Sequence, residues 1–262
     1  MELLFERKNI KRAAAIHFTT EEEMSQAKPY TFGTPAVVIP HGLYLADYEN
    51  LPEEGVFRAR YPETKDKHII LFLGRINFVK GLDILVQAFA MASQSRDDIH
   101  LVIAGPDNEG FGHKVRAWLK GKRVLHHVTF TGMLERKDKL AALRDAEMFI
   151  LPSYSENFGV SVVEAMASGT PVLISDKVKI WREVEVSGAG KVAPCDARRF
   201  ARMILDVLDD PKEARDMGKR GKAMVKERYR WSSVAAAMEA AYHSILSEGT
   251  AKASSSQAVQ RI

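Results

Sequence analysis

Residues Leu151 to Pro171 read LPSYSENFGVSVVEAMASGTP: the end of a buried strand, a tight polar loop and the first turns of a helix. The strand is Met148 to Leu151, a short apolar run closed by Pro152, a residue that cannot donate to a sheet ladder. Ser153 to Asn157 form the loop, and Phe158-Gly159-Val160 carry the chain into a helix that ends near Gly169. A helix N-terminus at the carboxyl end of a parallel strand presents unpaired N–H groups and a partial positive charge, which suits a phosphate. Glu156 and Glu164 stand in the same unit with seven residues between them. The first lies in the loop and the second about a turn into the helix, so both can face one crevice. Carboxylates repel a phosphate, so their natural partners are hydroxyls: a sugar near Glu156 and a ribose near Glu164.

Outward from this stretch, strand and helix signals alternate from His68 onward. Ile69 to Leu73 is a near-continuous apolar run, as expected of a strand buried on both faces. Gly74 ends it, and Gly81 to Gln94 places Leu82, Leu85, Val86 and Phe89 on one helical stripe. Ile99 to Ile103 is the next strand, followed by a helix over His113 to Lys120, the strand Val128 to Phe130 and a helix over Leu140 to Ala146. Beyond the opening stretch come a strand at Val172 to Ile174 and a short one near Lys191 to Ala193. This alternation predicts an α/β fold, a doubly wound parallel sheet with right-handed crossovers and ligands beyond the carboxyl ends of its strands. The loops at Gly74, Gly105, Gly132 and Ser153 all fall on that edge. Gly74-Arg75 with Lys80-Gly81 puts a planar guanidinium and a point charge there, two ways of holding phosphate oxygens.

The patterns P-S-x-x-E-x-F-G, E-A-M-A-x-G-x-P-V and G-R-x-x-x-x-K-G resemble the donor-site signature of retaining glycosyltransferase family 4, the group 1 glycosyltransferases. The resemblance covers roughly residues 13–246 and is strongest over 68–175. It implies the C-terminal half of the two-domain glycosyltransferase B fold, binding a nucleotide-diphosphate sugar. By resemblance, Arg75 and Lys80 hold the diphosphate, with Gly74 opening their loop. Glu156 holds the transferred sugar, Asn157 lines its loop, and Phe158, Gly159 and Val160 offer backbone N–H groups. Glu164 accepts from the ribose, and the base lies by Thr131 to Leu134, with Met133 beside it. Arg75, Lys80 and Glu156 are the residues assigned to catalysis. The implied reaction moves a hexose-type sugar from UDP or GDP to a glycan, lipid or small-molecule acceptor, with retention of configuration. It needs no metal and no cofactor, since the nucleotide sugar is the substrate; no Asp-x-Asp occurs in the chain. The alternatives are a non-catalytic nucleotide-sugar binding module and one subunit of a split enzyme.

In the same terms, residues 1–35 resemble a remnant of the N-terminal acceptor domain: a charged helix from Glu2 to Arg12, a strand near Ala13 to Phe18, and a helix capped by Thr19 or Thr20. Residues 36–67 resemble the interdomain linker and a polar loop, with His41 where the family more often has Asn. Residues 68–230 are the Rossmann-like donor domain, 231–248 a helix crossing back, and 249–262, with Ser254-Ser255-Ser256, a disordered tail. A second departure follows Ser175-Asp176, where Lys177 to Glu183 replaces the family's Gly-Gly-x-x-Glu turn. Glu183 is the candidate for the acid, and Trp181 reads as packing.

Bulk properties bound the remaining choices. With 46% hydrophobic and 27% charged residues, the composition is that of a globular protein. A single cysteine, Cys195, excludes an internal disulfide and makes the cytoplasm the expected compartment. A net charge of +4 without an aromatic-rich basic face argues against nucleic acid. The basic helix from Pro211 to Arg228 is a solvated face or a peripheral contact with an acidic partner or the inner face of a membrane. The acceptor is left open, and a separate acceptor-domain chain is a candidate partner.

Overall fold

The computed structural model describes residues 2–259, with side chains over 6–247. The chain divides into two compact units, one holding the residues up to Leu43 and those from Tyr229 onward, the other Tyr44 to Arg228.

The first unit begins with α1 (Glu2–Arg12), β1 (Ile16–Phe18), α2 (Glu21–Ala27) and β2 (Ala36–Val38). The Thr20 hydroxyl accepts from the Glu23 N–H at 3.0 Å, and Glu23 Oε2 reaches back to the Thr19 N–H at 2.8 Å. This reciprocal cap is why α2 starts where three glutamates follow two threonines. β1 and β2 pair in parallel, Ile16 opposite Ala36 and Phe18 opposite Val38.

The second unit opens where a loop is expected and instead forms α3 (Ala46–Glu49) and α4 (Val56–Arg60). The cause is a remote cap. The buried Asp145 carboxylate accepts from the N–H groups of Gly55 (2.7 Å) and Arg58 (3.1 Å), holding the first turn of α4 from 90 residues away. There follow β3 (His68–Leu73), α5 (Leu82–Ala92), β4 (Ile99–Ala104), α6 (Gly112–Gly121), β5 (Val128–Gly132), α7 (Arg136–Asp145), β6 (Met148–Leu151), α8 (Val160–Ser168), β7 (Val172–Ser175), α9 (Trp181–Ser187), β8 (Gly190–Ala193), α10 (Ala197–Asp209) and α11 (Pro211–Arg228). α9 begins at Trp181, near the end of the stretch that stands in place of the glycine turn, and Gly188 in the left-handed region terminates it.

The six strands of this unit lie parallel in the order β5-β4-β3-β6-β7-β8. The expected doubly wound sheet is therefore present, and its direction reverses between β3 and β6, the neighbours that make the switch point. β3, β4, β6 and β7 are buried almost throughout, which explains their unbroken apolar runs. α10 closes one face with Phe200, Ile204 and Val207 buried. The basic α11 buries Met217, Met224 and Val225, and several of its cations are engaged within the unit. Lys219 pairs with Asp216 at 2.8 Å, Arg220 with Glu213 at 2.6 Å, and Lys222 donates to the Tyr48 carbonyl at 3.3 Å.

The closing helix of the first unit, α12, runs from Trp231 to Val259. It replaces the tail expected over 249–262, because the alanines of that stretch favour helix and no proline stops it; residues 260–262 lie outside those described. Among the described residues, no helix is long and apolar enough to cross a membrane.

One buried polar group makes the fold pH-sensitive. On β4, His100 Nε2 lies 2.9 Å from Thr129 Oγ1, and the Thr129 hydroxyl gives its proton to Glu63 at 2.8 Å. His100 must then donate through Nε2, and burial depresses its pKa from 6.5 to about 4. The unfolded chain binds a proton there at a pH where the folded one does not, so stability is full above the unfolded value and falls as pH drops from 6.5 towards 4. The loss expected is on the order of 2–3 kcal/mol. In urea denaturation series at several pH values, His100→Gln should flatten that slope; an unchanged slope would remove His100 as its source.

Candidate donor-binding site

The site lies at the switch point, where the loops after β3 and β6 emerge side by side. They are stitched together by the Val79 carbonyl, which accepts from the Tyr154 N–H and from Ser153 Oγ, each at 2.8 Å. Gly81 closes the first loop at φ +67, and a Cβ there would stand 2.0 Å from the Pro152 carbonyl oxygen. Beneath them, Ser175 Oγ donates to the Ser153 carbonyl at 2.5 Å. The Cys195 thiol, raised in pKa by burial, lies 3.4 Å from the same oxygen. It supports the loop from behind.

Each loop repeats one arrangement, an aromatic two positions before a charged residue. Phe78 stacks on Tyr154 with ring centroids 5.1 Å apart, and Lys80 makes an ion pair with Glu156. The Tyr154 hydroxyl donates to Asp83 at 2.8 Å, and burial with the Asp83 carboxylate pushes its pKa up to about 12. Phe78 is 58% exposed and forms an aromatic rim beside the Lys80–Glu156 pair. The Glu156 backbone is held from the other side, accepting from the Lys179 N–H at 3.0 Å and donating to the Lys177 carbonyl at 3.2 Å. The segment lacking the glycine turn therefore acts as a one-residue ladder for the loop. Trp181, beyond it, is half-buried beneath the Arg182 guanidinium, 4.4 Å from its ring centroid, and Glu183 lies in the first turn of α9.

The residues singled out from sequence fall around this point as follows. Gly74 leaves β3 with its N–H on the Ala104 carbonyl at 3.0 Å. Arg75 next to it is exposed, and no described residue makes an ion pair with its guanidinium. Lys80 and Glu156 come together from different loops, a contact that sequence spacing does not give. Asn157 is exposed, Phe158 is buried as a wedge, and Gly159 and Val160 begin α8, whose first turn leaves N–H groups for a ligand. Met133, 74% exposed, follows β5, two strands from the switch point.

Glu164 sits one turn into α8 with a side chain only 13% exposed. Its Oε1 accepts from Lys139 Nζ at 2.5 Å and from the Tyr48 hydroxyl at 3.0 Å. Burial and the Glu164 carboxylate hold the Tyr48 hydroxyl well above the usual phenol range, so it remains a donor. Sequence reasoning misses both partners. Tyr48 lies in a stretch that reads as loop, and Lys139 in a charged run that reads as surface. The assembled site offers a free guanidinium, a lysine shared with a carboxylate, a helix N-terminus and a second oriented carboxylate. It can balance a diphosphate at one end and accept from hydroxyls at the other.

Residues 54–224 match the family model described as Glycosyl transferases group 1. The phosphatidyl-myo-inositol mannosyltransferase of Mycobacterium leprae is 30% identical over 222 residues, 83% of this chain and 56% of that protein. Among solved structures, the sucrose-phosphate synthase of Thermosynechococcus elongatus superposes with a TM-score of 0.82 at 27% identity, over 94% of this chain and 62% of that one. The Anabaena protein Alr3699/HepE, in complex with UDP and glucose, gives a TM-score of 0.82 at 17% identity, over 93% of this chain and 68% of that one; at that identity the likeness is one of fold. The chain spans about half the length of the curated relatives it matches.

Proposed function

We propose, for a chain that belongs to the group 1 glycosyltransferases, that it supplies the donor site for transfer of a hexose-type sugar from UDP or GDP to an acceptor bound by other residues. The contact between Lys80 and Glu156 at the switch point carries this reading. It brings a cation suited to the diphosphate and an acid suited to sugar hydroxyls within one sugar's reach of each other. The names of the relatives, a mannosyltransferase and a protein holding UDP and glucose, support a hexose on a nucleotide. A diphosphate entering the crevice competes for Lys80 and releases Glu156 to the sugar. As the glycosidic bond breaks, charge grows on the leaving diphosphate, where Arg75, Lys80 and the first turn of α8 meet it. Arg75 chelates phosphate oxygens through its planar fork, and Lys80 follows the developing charge. With these cations in place the reaction runs without a metal, and the leaving phosphate takes the acceptor's proton on the same face, so configuration is retained.

Slow hydrolysis of the donor, with water as acceptor, tests this. Incubated with UDP-glucose and GDP-mannose and followed by proton NMR, the chain is expected to release the α-anomer first from one of them. Initial release of the β-anomer would contradict retention. Binding of a donor without any turnover would favour the non-catalytic module.

A further inference from the structure

α6 ends in a Schellman turn: the Arg123 N–H donates to the Lys120 carbonyl at 3.0 Å and the Val124 N–H to the Leu119 carbonyl at 3.1 Å. Leu119 and Val124 are both buried beneath it. The turn needs one residue in the left-handed region, and that residue is Arg123, at φ +61. Glycine is the usual occupant because it has no Cβ to clash. This chain ends α8 and α9 in that way, with Gly169 at φ +83 and Gly188 at φ +63. An arginine here carries a steric penalty that glycine avoids. Its side chain is not needed as a cap, because backbone N–H groups already bond the Trp118, Leu119 and Lys120 carbonyls. Lys120, Lys122 and Arg123 are all exposed, and none of them pairs with an acid among the described residues.

Lys120, Arg123, Leu125 and His126 line an open pocket of about 570 Å³ whose walls hold no carboxylate. The ring of His127 braces that of His126, with centroids 4.1 Å apart. Earlier cations of the same helix are engaged elsewhere: Lys114 lies over the Phe111 ring at 5.6 Å and Arg116 over Phe130 at 3.7 Å. The pocket sits where α6 ends and β5 begins, at the amino-terminal edge of the sheet, opposite the switch-point crevice. A planar guanidinium, a point charge and an imidazole around one concavity match a compact anion with several oxygens. We propose that this pocket is a second anion site, for the phosphate monoester of a ligand other than the nucleotide sugar, with Arg123 as its central contact. Such a group carries about two negative charges and three acceptor oxygens near neutral pH; a carboxylate offers fewer of each. The pocket shares no residue with the donor crevice, so the proposal stands or falls independently of the donor reading.

The test is titration of the full chain with inorganic phosphate at constant ionic strength, followed through backbone amide shifts in NMR spectra. Saturable shifts over residues 120–127 are expected, separate from any over 74–81 and 156–160 in the donor crevice. Arg123→Gly and Lys120→Gln should each weaken that binding about tenfold or more, as loss of a hydrogen bond to a charged group does. Lys114→Gln removes the same charge from the same helix and should leave the affinity within about twofold. Arg123→Gly should also raise the urea midpoint, because glycine suits the turn, so its loss of binding is not a loss of fold. Glycerol phosphate and vesicles of phosphatidic acid in phosphatidylcholine separate the sources of the phosphate. Binding of the ester alone supports a soluble ligand, and vesicle binding lost in Arg123→Gly supports a lipid headgroup at the same site. Shifts that stay linear with phosphate, that appear only in the donor crevice, or whose affinity Arg123→Gly leaves within about twofold, would overturn the proposal.

Discussion

Lys80→Ala, in a form of the protein competent for transfer, is expected to lower turnover by about 10²–10³-fold, the usual effect of losing one preorganised donor at a developing negative charge. The lysine does two things that the substitution removes together. It offers a positive charge to the leaving diphosphate, and it balances Glu156, with which it pairs. The side chains of that pair are only 15% and 21% exposed, so deletion of one member leaves a partly desolvated carboxylate beside the anionic substrate. Part of the loss is therefore repulsion, and Glu156→Gln in the Lys80→Ala background should recover some of it. A double-mutant cycle separates the two parts. Lys80→Arg restores charge without the compact ammonium and should fall between. Steady-state rates for the four proteins of the cycle and for Lys80→Arg are the measurement, and near-wild-type turnover in Lys80→Ala would remove the residue from the mechanism.

Gly81→Ala is expected to be the most destabilising single change in the site, by about 3 kcal/mol or more, in the range of overpacking plus backbone strain. At φ +67 an alanine already carries the penalty of the left-handed region, and its Cβ would lie 2.0 Å from the Pro152 carbonyl oxygen and 2.8 Å from the carbonyl carbon. Backbone atoms cannot step aside as a flexible side chain does. The two loops must separate, breaking the bonds from Tyr154 and Ser153 to the Val79 carbonyl and pulling Lys80 from Glu156. Stability and nucleotide affinity should fall together. Gly132→Ala provides the control, with a similar φ of +69 and nothing within 4 Å of the added Cβ. It should cost only the strain, about 1–2 kcal/mol. Guanidinium denaturation of both variants checks the difference, and equal losses would show that the contact with Pro152 does not matter.

The sheet was legible because its central strands are buried on both faces, so Ile69 to Leu73 and Met148 to Leu151 appear as unbroken apolar runs. The loops between them were legible through Gly and Pro. α4 escaped sequence reasoning because its cap is Asp145, and α9 because Lys177 to Trp181 carries no strong start signal. The site divides in the same way. Residues within one turn of a strand end, such as Arg75 and Glu156, could be placed on the right edge from their neighbours alone. The contacts that orient them could not be placed. Lys80 meets Glu156 across 76 residues and Tyr48 meets Glu164 across 116, distances over which spacing holds no information and only the fold brings side chains together.

The central claim is that the switch-point crevice binds a nucleotide diphosphate through Lys80. The most direct measurement is calorimetric titration of the chain with UDP, GDP and ADP, repeated on Lys80→Ala. Binding of one nucleotide in clear preference to the others, weakened about tenfold or more by the substitution, is the predicted result. No binding of any nucleotide at millimolar concentration, or binding that Lys80→Ala leaves unchanged, would contradict it.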